Sequence, residues 1–292
     1  MHKKNDVQQV SLQPVLVFVV LMLMILMQMT TDQYIPSLPA ITRIFNSSEA
    51  SIQLTLSLFM LGLSISHVFY GPLSDKIGRK PPLMFGVGLS ILGSLICFLA
   101  PSVLVLIIGR FIQGFGIGCC GSVGRSLVRD LFTDRMLSKI GSYVGIVSVF
   151  IMVASPVLGG YIQEHFGWRV NFLFLLVFGI VIWILALLAL PETNKNLNPD
   201  ATKFKVMREN YFTLLKSKVF LGYALCACLA SAGLIGYLAI APFLFQDVLG
   251  LSPIEFGQLT IFIAAAICVS GIVNSQLVMS KGVSYMVCIG IV

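Results

Sequence analysis

Two ionisable side chains of this 292-residue chain lie inside apolar sequence, where charge is costly. Asp32 closes an apolar run that starts near Pro14, and Arg110 sits about seven residues into another. A carboxylate takes a proton when desolvated and gives it up beside a guanidinium, so such a pair could load and unload a proton. A charge near a bilayer centre costs about 2.5–3.5 kcal/mol, so both groups should face a cavity or each other. The other reading is that Asp32 caps a helix end and Arg110 snorkels to headgroups. Gln28 lies one turn before Asp32, and Gln113 and Gly114 one turn after Arg110, on the same helical faces. With Tyr34, whose ring could stack on a planar or lipophilic compound, they are candidates to line a substrate cavity. Interhelical hydrogen bonding by the glutamines and an interfacial tyrosine remain the alternative.

A second chemical cluster is GPLSDKIGRK, residues 71–80, a polar interruption between two apolar runs. Gly71 would allow close helix approach, and Pro72 would close the preceding helix. Asp75 would accept from the free N–H groups of the next helix start. Gly78 would make the turn, and Arg79 and Lys80 would anchor it to an anionic leaflet. Asp130 stands ready to pair with Arg79. A generic basic turn would also explain this string.

These residues must be positioned by membrane helices. The chain is 57% hydrophobic and 11% charged, with a mean hydropathy of +0.95, too little polar surface for a soluble domain. Runs of about 20 apolar residues predict spans at 14–35, 51–70, 82–100, 103–124, 138–161, 169–190, 219–243 and 256–279. A ninth begins near Val283 and runs for ten residues to Val292, which reads as truncation. Strand-like alternation is absent, so the predicted class is all-α and polytopic. Sixteen of the 19 lysines and arginines fall in alternate loops, leaving Arg43, Arg169 and the intraspan Arg110. That bias places the amino terminus in the cytoplasm. It also explains the net charge of +7 without nucleic acid.

The seven cysteines, Cys97, Cys119, Cys120, Cys226, Cys228, Cys268 and Cys288, lie in apolar runs and read as packing residues, with no metal cluster. Residues 1–190 form a six-helix bundle, 191–218 a cytoplasmic linker, and 219–292 a partial second bundle. In the linker, Phe204, Met207, Tyr211 and Leu214 recur at helical spacing and predict an amphipathic helix on the membrane face. Within span five, Gly141, Gly145, Ser155, Pro156, Gly159 and Gly160 form a small-residue stripe suited to close packing and a pivot, or to ordinary packing.

GxLxDKxGRK between spans two and three resembles the loop signature of the major facilitator superfamily. DQYIPSLPAI (32–41) and GRFIQGFGIG (109–118) resemble first- and fourth-helix motifs of its drug–proton antiporters. GWRVNFLF (167–174) and LPET (190–193) resemble the borders of the sixth helix, and residues 220–257 resemble the bicyclomycin/chloramphenicol-resistance subfamily. The fifth-helix motif departs from the pattern, with Ser155 where glycine is usual. The resemblance implies a major-facilitator bundle, complete in its first half and incomplete in its second. It implies a proton-coupled multidrug exporter of the bacterial inner membrane, with Asp32 and Arg110 in coupling and the 71–80 loop with Asp130 as a gate. Small drugs, protons and lipids are the partners so implied. No enzyme, cofactor, metal, nucleic acid or obligate protein partner is expected. A proton-independent facilitator and a truncated non-functional remnant are the alternatives.

Overall fold

The computed structural model describes residues 2–131, 134–194 and 196–281. Lys195, Gly282, the ninth span placed from Val283, and Cys288 lie outside the described residues. The side chains of Lys3, Lys4, Arg135, Lys139 and Lys281 are likewise outside the description. Among the described residues the regular elements are all helices, with no strand. Among the described residues, eight segments are long and apolar enough to cross a membrane, and each overlaps a span predicted from hydropathy. The elements in order are α1 (His2–Asp32), a 3-10 turn (Ile35–Ser37), α2 (Leu38–Phe45), α3 (Glu49–Ile77) and α4 (Lys80–Leu99). There follow α5 (Val103–Leu131), α6 (Asp134–Phe166), α7 (Trp168–Ala189), α8 (Phe204–Lys216), α9 (Lys218–Phe243) with a π-helical end at Leu244–Val248, and α10 (Pro253–Lys281).

The first span is broken rather than continuous. Pro36 has no N–H for the carbonyl of Asp32, and Pro39 none for that of Ile35, so α1 stops at Asp32. The carbonyls of its last turn are thereby left for other donors. α5 is the centre of the bundle, flanked by α3 and α4 at backbone contact. A Cβ on Gly62 would stand 2.5 Å from the Phe111 carbonyl, and one on Gly93 2.5 Å from the Gln113 nitrogen. Only small residues permit that approach. The α5 span is 56% buried and the α9 span only 6%, so α9 rests on the bundle by one edge. α10 packs along α6, with Gly257 against the Pro156 carbonyl.

The structure corrects several expectations. Pro72 does not close the second span: α3 runs through Pro72 and Asp75 to Ile77. The only backbone group Pro72 strands is the Val68 carbonyl, and Tyr211 of α8 donates to it at 2.9 Å, so the helix continues. Gly71 makes no close helix contact, since nothing stands within 4 Å of its Cβ position. Gly141 and Gly145 are exposed and contact nothing there, so only the Ser155–Gly160 part of the stripe packs tightly. Cys97, Cys119 and Cys120 are buried, whereas Cys228 and Cys268 are exposed and Cys226 partly so. The predicted amphipathic helix is α8, but Phe204 leaves its inward stripe. Tyr211, fixed on α3, turns Met207 toward the bundle and leaves Phe204 78% and Leu214 46% exposed.

Candidate functional site

The fold builds two charged centres at different levels of the bundle. The first gathers at the break after α1. Arg110 of α5 is completely buried, and its Nη1 donates to the Thr30 carbonyl at 2.9 Å and to Gln113 Oε1 at 2.6 Å. Thr30 lies in the last turn of α1, so the guanidinium caps a helix C-terminus, where the dipole favours a cation. Its central carbon stands 4.1 Å from the Tyr34 ring centroid and 3.9 Å from that of Phe59, held between two aromatic faces. Arg110 Nε and Nη2 have no hydrogen-bond partner.

Asp32 is 6% exposed and accepts from Gln28 Nε2 at 2.5 Å, one turn earlier on α1. It makes no ion pair with Arg110, although the two are near enough to influence one another electrostatically. The carboxylate instead faces a pocket lined by Ile35, Met152, Pro156, Leu234, Leu238 and Phe256, with Thr260 as the other polar contributor. The void is about 20 Å³, room for one water molecule. Its walls come from α1, the 3-10 turn and α6 on one side and from α9 and α10 on the other.

Of the cavity candidates, Gln28 alone is partly exposed and reaches Asp32 directly. Gln113 is buried and spent on Arg110 and on Ser94 Oγ at 2.7 Å. Tyr34 is buried against Phe172 and bonded to Thr55 Oγ1 at 3.1 Å. Gly114 abuts the Phe59 backbone, so it is a packing glycine and lines no cavity. Sequence reasoning missed the buried network beside this centre. Gln33 Nε2 donates to Asn171 Oδ1 at 3.2 Å, and Asn171 Nδ2 donates to Ser37 Oγ and to the Gly159 carbonyl. Polar residues in apolar runs were its signal.

The second centre is the turn between α3 and α4. Arg79 Nε donates to Asp130 Oδ2 at 2.8 Å, and its Nη1 reaches Asp75 Oδ1 and Ser74 Oγ. Asp75 therefore serves Arg79 and caps no helix start. The cap is Glu192, which accepts from the N–H groups of Arg79 at 2.8 Å and Lys80 at 3.1 Å. Pro81 and Pro82 follow directly and have no N–H to offer. Glu192 also accepts from Thr193 and Asn194, and Asn194 Nδ2 donates to the Ser74 and Asp75 carbonyls. Gly78, at φ +98°, makes the turn, and a Cβ there would meet the Glu192 carboxylate. Neither basic residue is free for lipid: Arg79 is 11% exposed, and Lys80 Nζ donates to the Leu187 carbonyl at 2.7 Å.

Burial works against both charges, but backbone N–H donors hold the Glu192 carboxyl below its ordinary value. Bonds and charge from Asp130 and Asp75 likewise raise Arg79 above its own. Glu192 was the functional residue most visible in retrospect, because a helix start at Arg79-Lys80-Pro81-Pro82 has no capping side chain of its own. Among the described residues no cluster suited to a metal ion occurs.

A profile for the Major Facilitator Superfamily matches residues 16–292. The chain is 34% identical over 246 residues to an uncharacterized MFS-type transporter, YdgK, of Bacillus subtilis (strain 168), covering 84% of this chain and 61% of that one. It is 29% identical over 255 residues to a bicyclomycin resistance protein homolog of Haemophilus influenzae, covering 87% and 64%. It is 31% identical over 228 residues to the multidrug resistance protein MdtL of Escherichia coli O81, covering 78% and 57%. The chain thus spans less than two thirds of the length of these relatives. In fold it is similar to a D-xylose–proton symporter (TM-score 0.64, 16% identity, 90% of this chain and 68% of that one). It is also similar to a bacterial homolog of the human lysosomal transporter Spinster in an inward-facing, unoccupied conformation (TM-score 0.68, 18% identity, 93% and 62%).

Proposed function

The chain belongs to the Major Facilitator Superfamily, and from that premise we propose that it exports drug-like small molecules in exchange for protons across the bacterial inner membrane. The observation that carries the proposal is Asp32, a buried carboxylate facing an apolar pocket between two groups of helices. A transporter needs a charge whose state changes with access, and a carboxylate there is stabilised or neutralised by what enters. Arg110 sets the background by its fixed charge, and Gln28 holds the carboxylate in place. Loading Asp32 with a proton removes the charge from the pocket and favours closure. Releasing it restores a polar site that favours the opposite state.

In this reading residues 1–190 are one half of the transporter, 191–218 the linker and 219–292 part of the other half. The amino terminus and the Arg79 turn face the cytoplasm, following the distribution of basic residues. The cluster of Arg79, Asp75, Asp130 and Glu192 acts as a latch that ties the ends of α3, α4 and α5 to the linker. The Ser155–Gly160 segment, with Pro156 inside α6, is the pivot against α1 and α10.

The test uses cells expressing the chain and bicyclomycin, the drug in one relative's name. Efflux should rise with an inward proton gradient, and Asp32→Asn should abolish that dependence. Gradient-driven efflux that survives in Asp32→Asn would overturn the assignment.

A further inference from the structure

Two tethers hold the linker against α3. Tyr211 Oη donates to the Val68 carbonyl at 2.9 Å, and the Asn198 N–H donates to the Asp75 carbonyl at 2.9 Å. Val68 and Asp75 lie two helical turns, about 10 Å, apart on α3. Between the tethers the linker does not close on the helix. A cavity of about 200 Å³ remains, some ten times the void beside Asp32. Pro72 and Asp75 bound it on one side, Asn198 at one end, and Met207, Asn210 and Leu214 of α8 on the other.

The linker is rich in lysine, yet no lysine or arginine lines this cavity, and Asp75 is the only charged residue that does. The Asp75 side chain is half exposed. Its Oδ1 takes the Arg79 bond, and no donor among the described residues reaches Oδ2. The amide of Asn210, itself exposed, adds a second acceptor. Pro72, Met207 and Leu214 make the remaining wall apolar. An apolar cleft with one anion at its edge fits a molecule with an apolar body and a single cationic head. The volume is below the roughly 300–1,000 Å³ of drug-sized pockets, so the body is small.

We propose that the cavity between α3 and α8 binds a small aryl-alkyl ammonium compound, its N–H groups on Asp75 Oδ2 and Asn210 Oδ1 and its ring against Met207 and Leu214. No residue lines both this cavity and the pocket of Asp32, so the site stands apart from the coupling carboxylate. Asp75 also serves Arg79, which ties occupancy of the site to the latch proposed above. A phosphatidylethanolamine headgroup offers the same ammonium without the ring, and the test separates the two sources.

The experiment is calorimetric titration of phenethylammonium into the full chain in nanodiscs of phosphatidylcholine and phosphatidylglycerol, with empty nanodiscs subtracted. These lipids carry no primary amine. Saturable binding is expected, unchanged in Asp32→Asn and lost in Met207→Trp, which fills the cavity. Asp75→Asn should weaken it roughly tenfold or more, and so should neutral 2-phenylethanol in place of the amine on the wild type. No saturable binding, or equal affinity for amine and alcohol, would overturn the site. Binding lost in Asp32→Asn but kept in Asp75→Asn would move the ligand to the Asp32 pocket and overturn it equally. Weaker binding after phosphatidylethanolamine is added would give the cavity to a lipid headgroup and overturn the soluble ligand.

Discussion

The two charged centres of this molecule use the same residue types and reach opposite balances. Around Arg79 each partner is matched: the guanidinium meets Asp75, Asp130 and Ser74, and Glu192 takes backbone donors. Around Arg110 the balance is left open. Two of its nitrogens have no partner, and Asp32 answers to Gln28 rather than to the guanidinium. A saturated ion cluster has little to gain from a proton or a ligand, which suits a latch. A carboxylate left short of partners beside a fixed charge responds to what enters its surroundings, which suits coupling.

Breaking the open centre should cost most. Arg110→Ala would strand the Thr30 carbonyl and Gln113 Oε1 and leave a void between the Tyr34 and Phe59 rings. A loss on the order of 3 kcal/mol is expected, read as a lower Tm in detergent, together with loss of transport. Arg110→Lys should recover part of the stability and none of the coupling, because a compact ammonium on a shorter side chain loses the planar stacking between the two rings.

At the saturated centre the effects are smaller and more structural. Arg79→Ala should cost about 1.5–3 kcal/mol, since it removes charge-assisted bonds to two aspartates. Tyr211→Phe should cost about 1 kcal/mol by stranding the Val68 carbonyl, and this loss should vanish in a Pro72→Ala background that restores the helical N–H. Unchanged cost in that background would contradict the account of how α8 docks.

Glu192→Gln is the smallest change, about 0.5–1 kcal/mol at neutral pH, the worth of a helix cap. Because the Glu192 carboxyl is held below its ordinary value of 4.5, its contribution is present above that pH. It is lost as pH falls through the lower folded value. Melting curves of the wild type and Glu192→Gln should therefore converge only in acid below about pH 4.5.

Much of this was legible in residue order because the membrane imposes simple rules. Span positions follow from apolar run length, and the Arg79–Asp130 pairing was foreseen. What escaped were contacts made by distant chain segments. Glu192 caps a helix that starts 112 residues earlier, and Asn171 holds Gln33 from 138 residues away. Pro72 misled because proline alone reads as a stop, whereas Tyr211, 143 residues from Val68, supplies the missing donor. The stripe of span five misled in the same way: Gly141 and Gly159 share a spacing pattern, but only Gly159 meets a neighbouring backbone.

The most direct test of coupling at the open centre is proton release from the purified chain in weakly buffered solution on adding bicyclomycin. The account predicts release in the wild type, none in Asp32→Asn, and undiminished release in Asp75→Asn and Asp130→Asn. Release that persists in Asp32→Asn but disappears in the two latch variants would contradict it.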